Sequence, residues 1–180
     1  MRIIGGRLRG LRLNPPNGLP VRPTTDLAKE ALFNILQNQI DIEGARVLDL
    51  FSGTGNLSLE FASREASEVI AIDKSIRCIH YLKDMARQHK LEQIKTFNAD
   101  VFKYLEMETE QYDLIFADPP YDLSRIPKIV KIVFEKKLLA ADGILIIEHQ
   151  SMQNLSNHPA FFEQRKYGHS AFSFFRNYLA

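Results

Sequence analysis

Four aspartates punctuate this chain at similar places. Asp49 lies near the end of "ARVLDLF", Asp73 closes "EVIAID", Asp100 closes "IKTFNAD" and Asp118 follows "YDLIFA". Each segment is short, mostly apolar and rich in β-branched or aromatic residues, so each acid stands at a strand end. A carboxylate accepts hydrogen bonds at about four lone-pair sites, and a row of them can hold the donor groups of a polar small molecule. Asp73 comes 18 residues after Gly55, where an acid can accept from both hydroxyls of a ribose. Asp100 could accept from an adenine amino group. Both acids also precede helical stretches and could serve as N-caps.

Two further stretches add to the row. In "DLFSGTGNLS", Gly53 and Gly55 permit a tight turn and close backbone approach to a ligand, and Asn56 opens a helix. Ser58 stands where a dinucleotide fingerprint would carry its third glycine, which disfavours a pyrophosphate cofactor. In "ADPPYDL", Pro119 and Pro120 cannot continue a sheet ladder, and proline biases the preceding residue to an extended form. The strand therefore ends in a stiff corner that holds Asp118 beside Tyr121.

A parallel sheet would position these residues, because in open α/β sheets ligands sit beyond the carboxyl ends of the strands, where strand order reverses. The patterning predicts such a sheet. Strands "ARVLDLF", "EVIAID", "IKTFNAD", "YDLIFA" and "GILIIEH" alternate with helices "NLSLEFASR", residues 74–90, "VFKYLEM" and "RIPKIVKIVFEKKLL". "FFEQRKYGHSAFSFFRNYL" reads as an antiparallel pair turning near Gly168 and His169, its aromatics mostly core and Arg176 outward. His149, beside Glu148, is expected to be structural. Ahead of the first strand, "TTDLAKEALFNILQNQ" predicts a helix with a capping box from Thr25 or Asp26 to Glu30, and an apolar stripe of Leu27, Ala31, Leu32, Ile35 and Leu36. "MRIIGGRLRGLRLN" predicts a small β-hairpin turning near Gly5-Gly6 or Gly10, followed by a proline-rich loop. The expected division is an appendage over residues 1–24 and a single domain over residues 25–180.

Composition narrows the classes. With 180 residues, 45% hydrophobic and 25% charged, the chain suits one globular domain. No long apolar run opens it, so neither signal peptide nor membrane span is expected. Cys78 is the single cysteine and the five histidines are scattered, so no intramolecular disulfide can form and no metal site is expected. Net charge is +1, but residues 1–25 hold Arg2, Arg7, Arg9, Arg12 and Arg22 and no acid. Arginine's planar fork suits phosphate contact and base stacking, so this end points to nucleic acid.

"VLDLFSGTGNLSLE", "VIAID", "NAD" and "DPPY", in that order, resemble the class I S-adenosylmethionine-dependent methyltransferases, and the DPPY form resembles those that methylate exocyclic amines of bases. "IIGGRLRGLRL", "VRPTTDLAKEALFNIL" and "YGHSAFSFF" narrow the likeness, over nearly the whole chain, to the bacterial small-subunit rRNA guanine-N2 methyltransferases of the RsmD type. The resemblance implies a Rossmann-like fold and a cytoplasmic, monomeric enzyme. It also implies S-adenosylmethionine at Thr24, Thr25, Asp49, Phe51, Ser52, Gly53, Thr54, Gly55, Asp73, Lys74, Asp100 and Val101. Catalysis falls to Asp118, Pro119, Pro120 and Tyr121. Asp118 and a proline carbonyl accept the two amine hydrogens, and Tyr121 stacks on the base. Arg7, Arg9, Arg12 and Arg22 grip 16S rRNA within an assembled or assembling small subunit. Two positions depart from the family's habit: Leu27, often basic, and Glu65, often glycine. The competing readings are methylation of another base, such as adenine N6 in DNA, and an rRNA assembly factor that binds without turnover.

Overall fold

The computed structural model describes residues 1–19, 21, 24–120 and 124–177. Seven strands form one sheet in the order β3-β2-β1-β4-β5-β7-β6. They are β1 (Arg46–Leu50), β2 (Glu68–Asp73), β3 (Ile94–Asn98), β4 (Tyr112–Ala117), β5 (Leu139–Gln150), β6 (Phe161–Tyr167) and β7 (Ser170–Arg176). The first five run parallel, and β7 pairs antiparallel with both β5 and β6. This is the Rossmann-like sheet expected from the sequence. Strand order reverses between β1 and β4, which is where such sheets bind ligands.

Successive strand residues face opposite ways, and the two faces build two cores. Val47, Val69, Leu114 and Phe116 pack under α1 (Asp26–Leu36), α2 (Asn56–Ser63) and α3 (Ile76–Gln88). Leu48, Leu50, Ile70 and Ile115 pack under α4 (Val101–Met107) and α5 (Ile126–Glu135). With both faces covered, the strands read as continuous apolar runs. The same holds for β7: Ala171, Phe172, Ser173, Phe174 and Phe175 are all buried. Arg176 is half-buried rather than outward, with Nη2 donating to the Gln39 carbonyl at 3.2 Å.

Three N-caps come from side chains at element starts. Thr25 accepts from the Ala28 amide, Ser75 from Cys78 and Asp100 from Lys103. Thr25 at the cap puts Ala28 in the third helical position, so Glu30 completes no capping box and stays exposed. The buried face of α1 is Ala28, Lys29, Leu32, Phe33 and Leu36. It is rotated from the expected stripe, and Leu27 is left 76% exposed.

The rotation has a cause in residues 1–13. They form no strands, only an antiparallel Arg2–Arg12 bridge that closes over a turn at residues 5–10. Ile3 and Leu13 sit in the core above α1 and α2. Lys29, fully buried, donates to the Arg2 carbonyl and Asn56 Oδ1, both at 2.9 Å, and pairs with Glu60 at 2.8 Å. Glu60 in turn accepts from the amides of Ile4 and Gly5 and from Arg64. Burial works to raise the Glu60 carboxyl, but Lys29 and these donors outweigh it, and its pKa falls below the ordinary value.

Candidate functional site

The carboxyl ends of β1, β2 and β4 open onto a cavity of about 730 Å³. That volume lies within the range of small-molecule sites. Its floor is the loop after β1. Phe51 and Gly53 have φ of 59° and 54°, and Gly55, the N-cap of α2, has φ of 84°. A side chain at Gly55 would also collide with Leu82, whose Cδ1 lies 2.3 Å from the position of an added Cβ. Glycine is required there by both conformation and space.

Asp73 organises this loop. One carboxylate oxygen accepts from the Gly53 amide and the other from the Ser75 amide, each at 2.8 Å. Ser75, and not Asp73, caps α3. Asp73 therefore keeps lone pairs for a ligand, on the cavity wall. Asp49 lies deeper, 2% exposed, and accepts from the Ser58 hydroxyl. Ser58 thus holds the place of the missing third glycine by bonding the first strand-end acid. Burial pushes Asp49 up to about 7; the Ser58 bond opposes this and the charge of Asp73 adds to it.

On the far wall stand Asp100, Val101 and Phe102 from the start of α4, and Asp118, Pro119 and Pro120 from the corner after β4. Asp100 caps its helix at an exposed position, and Val101 is buried beneath it. The Asp118 amide donates to the Leu50 carbonyl at 3.3 Å, which ties the corner back to β1 across the switch point.

The geometry thus brings together most of the residues singled out by the sequence. Thr24, Asp49, Phe51, Ser52, Gly53, Thr54, Asp73, Lys74, Asp100, Val101, Asp118, Pro119 and Pro120 all face the one cavity. Two of the proposed cofactor residues do not: Gly55 is buried at the N-cap of α2, and Thr25 faces a neighbouring cavity. Tyr121 and Arg22 lie outside the described residues. Of the arginines, Arg9 and Arg12 are exposed, while Arg7 donates to the His89 carbonyl at 3.1 Å. Lys29 is sealed in the core.

The cavity also uses residues that carried no recognisable pattern. Met1, Pro15, Leu19 and Val21 close it from the N-terminal side, and Arg125 from α5's start. Their separation in sequence hides them; they meet because the N-terminal segment folds back over α2. His149 is fully buried with Nδ1 against the Gln150 carbonyl and Nε2 against Ser173 Oγ, a neutral structural imidazole whose pKa burial lowers. Its neighbour Glu148 faces the second cavity instead.

The lining fits a nucleoside-bearing cofactor. Ser52 Oγ is buried there with no hydrogen-bond partner among the described residues, a polar atom that a ligand could satisfy. Asp73 offers acceptors for ribose hydroxyls. Phe102 and Val101 offer an apolar bed. Among the described residues, no group of His, Cys, Asp or Glu is arranged to hold a metal ion, and no helix is long and apolar enough to cross a membrane.

The sequence matches the family described as conserved hypothetical protein 95 over residues 1–176. The ribosomal RNA small subunit methyltransferase D of Escherichia coli (strain K12) is 30% identical over 162 residues, covering 89% of this chain and 80% of that protein. Its namesake in Buchnera aphidicola subsp. Baizongia pistaciae is 28% identical over 154 residues, or 86% and 78% of the two chains. Among solved structures, the Escherichia coli protein yhhF superposes with a TM-score of 0.87 at 28% identity, over 98% of this chain and 97% of that one. The Thermus thermophilus 16S rRNA N2 G1207 methyltransferase, solved with AdoMet and guanosine, shares the fold: TM-score 0.75 at 21% identity, over 99% of this chain and 49% of that one. A match that runs from the first residue almost to the last admits one conclusion: the chain belongs to the conserved hypothetical protein 95 family, the RsmD type of class I S-adenosylmethionine-dependent methyltransferases.

Proposed function

We propose that this protein methylates the exocyclic N2 amine of a guanine in 16S rRNA, using S-adenosylmethionine, on an assembled or assembling small ribosomal subunit in the cytoplasm. The observation that carries the reading is the position of Asp118: the DPPY carboxylate lies on the wall of the same cavity as Asp73 and the glycine loop. The names of the relatives support rRNA of the small subunit as the substrate class.

Asp73 would hold the ribose hydroxyls, Asp100 the adenine amine, and the loop of Ser52, Gly53 and Thr54 the remaining polar groups. When bound, S-adenosylmethionine supplies an electrophilic methyl group on a sulfonium sulfur. The chain's part is to make a poor nucleophile competent. An aromatic amine delocalises its lone pair into the ring. Asp118 accepting one N–H, and a carbonyl of the Pro119–Pro120 pair the other, pulls the nitrogen toward tetrahedral geometry and fixes its direction. Positioning and preorganised acceptors supply most of the acceleration, and Asp118 need not be a strong base. Tyr121 stacks on the extruded base.

The test is radiolabel transfer from S-adenosylmethionine to small subunits, naked rRNA and DNA, with the labelled nucleoside identified by mass spectrometry. The expected product is N2-methylguanosine in the 16S rRNA of small subunits. Label on adenine in DNA overturns the reading, as does binding to subunits without any transfer.

A further inference from the structure

A second cavity, of about 570 Å³, lies beside the first, and the two share Asp118 and Thr24. Its wall is completed by Glu148 and by Lys166, Tyr167 and His169 at the β6–β7 turn. The β4–β5 register explains why two carboxylates meet there. Ala117, the last residue of β4, is paired in parallel with Ile147, so Asp118 leaves the end of β4 where Glu148 is the next residue of β5. Paired residues on neighbouring strands stand about 5 Å apart, and Asp118 and Glu148 each come one residue after such a pair and line the same cavity. Glu148 is 5% exposed, and the Thr24 hydroxyl donates to its Oε2 at 3.2 Å. A carboxylate offers about four lone-pair sites in all.

A pair of adjacent acceptors calls for an edge with adjacent donors. Guanine presents N1–H beside its N2 amine. Adenine and cytosine place an unprotonated ring nitrogen beside theirs, and that lone pair would face a carboxylate. Resting on the guanine-N2 reading above, we infer that Glu148 is the specificity-determining residue for the target base: it accepts guanine N1–H in the second cavity while Asp118 accepts from the amine. Enzymes that extrude a base read it by hydrogen bonds to this edge. Sites that bond a polar group reject analogues lacking it far more strongly than apolar pockets reject a methylene. Thr24, on both cavities, holds the Glu148 carboxylate in place.

Glu148→Gln separates reading from holding. A glutamine still accepts from Thr24 through its carbonyl oxygen, but it then turns an amide N–H₂ toward guanine N1–H, donor against donor. Methyl transfer to small subunits from a strain lacking this gene would be measured for wild type, Glu148→Gln and Glu148→Ala, with cofactor affinity by calorimetry. Guanosine and 2-aminopurine riboside, which keeps the amine but has a bare N1, would be run as competitors. The inference expects at least a tenfold fall in kcat/KM for Glu148→Gln with unchanged cofactor affinity. It also expects wild type to favour guanosine over 2-aminopurine riboside, and the variant to lose or reverse that preference. Near-wild-type transfer by Glu148→Gln beside a damaged Glu148→Ala would reduce Glu148 to a holder of Thr24 and overturn the inference. So would equal competition by the two nucleosides, or none by either, in wild type. In all of these cases wild type still labels guanine N2. Failure of the underlying reading shows instead as wild-type label elsewhere or absent.

Discussion

Asp49 illustrates how one side chain can be read for type and still hide its state. Its place at the end of β1 followed from an apolar run broken by an acid. Its near-neutral pKa did not, because that depends on burial under α2 and on Asp73, which only the folded loop supplies. A carboxyl raised from the ordinary range to about 7 lets the folded state hold a proton that the unfolded chain has released. Its contribution to stability is complete below pH 4 and is lost as pH rises through about 7. Asp49→Asn should therefore flatten the decline in unfolding free energy between about pH 4 and 7, by an amount on the order of a few kcal/mol at the upper end. A parallel decline in wild type and variant would show that Asp49 stays ionised throughout. The acids nearer the surface carry the proposed ligand contacts. Asp73→Ala removes a charged acceptor worth roughly 1.5–3 kcal/mol, so S-adenosylmethionine affinity should fall tenfold or more by calorimetry. Asp118→Ala should abolish methyl transfer with cofactor affinity kept, and an equal loss of both would make the corner structural.

At the scale of elements, the parallel strands and their helices were legible because a strand covered on both faces has a plain apolar signature. Residues 1–13 and the buried face of α1 were not, although the helix itself and its Thr25 cap were expected. The periodicity of "TTDLAKEALFNIL" selects Leu27 for the core, yet Lys29 takes the buried place. A lysine enters a core only when a partner meets it, and Glu60 is 31 residues away on another helix, with no local trace of the pairing. Around this pair the N-terminal segment, α1 and α2 are fastened at one point. Lys29→Met should cost about 3–5 kcal/mol by chemical denaturation, since it strands the buried Glu60 charge. A loss under 1 kcal/mol would mean that Arg64 and the Ile4 and Gly5 amides suffice. The turn after α2 offers a smaller adjustment. Glu65 has φ of 66°, a conformation that costs a side chain roughly 1–2 kcal/mol. Set against glycine's extra unfolded-state entropy, Glu65→Gly should still stabilise by about 0.5 kcal/mol.

Across the whole molecule, the charge asymmetry visible in the sequence becomes a placed surface. The bridge of Arg2 to Arg12 holds Arg9 and Arg12 exposed on the segment that closes the strand-end cavity. Arg7 lies against the His89 carbonyl, which orients it without neutralising it. If each arginine meets one phosphate, replacing Arg7, Arg9 and Arg12 together should reduce the slope of log affinity against log salt by about 2 units for single-stranded rRNA. Cofactor affinity should not move. An unchanged slope with methylation kept would shift the basic contact to another face.

The strand order has a consequence for synthesis. The chain emerges in sequence order, but its last strand lies inside the sheet: β7 separates β5 from β6. Until residues 170–176 leave the ribosome, β6 has no neighbour and β5 offers an open edge. Phe172 and Phe174 are missing from one core and Phe175 from the other. A nascent chain stalled before β7 is thus a half-layered sheet with a long apolar edge, a form prone to pairing with other chains. The wall of the second cavity includes the β6–β7 turn, which is made just before the body of β7. If that cavity reads the target base as proposed above, copies arrested before β7 should transfer no methyl group to rRNA. Arrested chains ending near residue 165 should be cleaved rapidly by added protease, whereas chains tethered to the ribosome by a long linker after residue 180 should resist it.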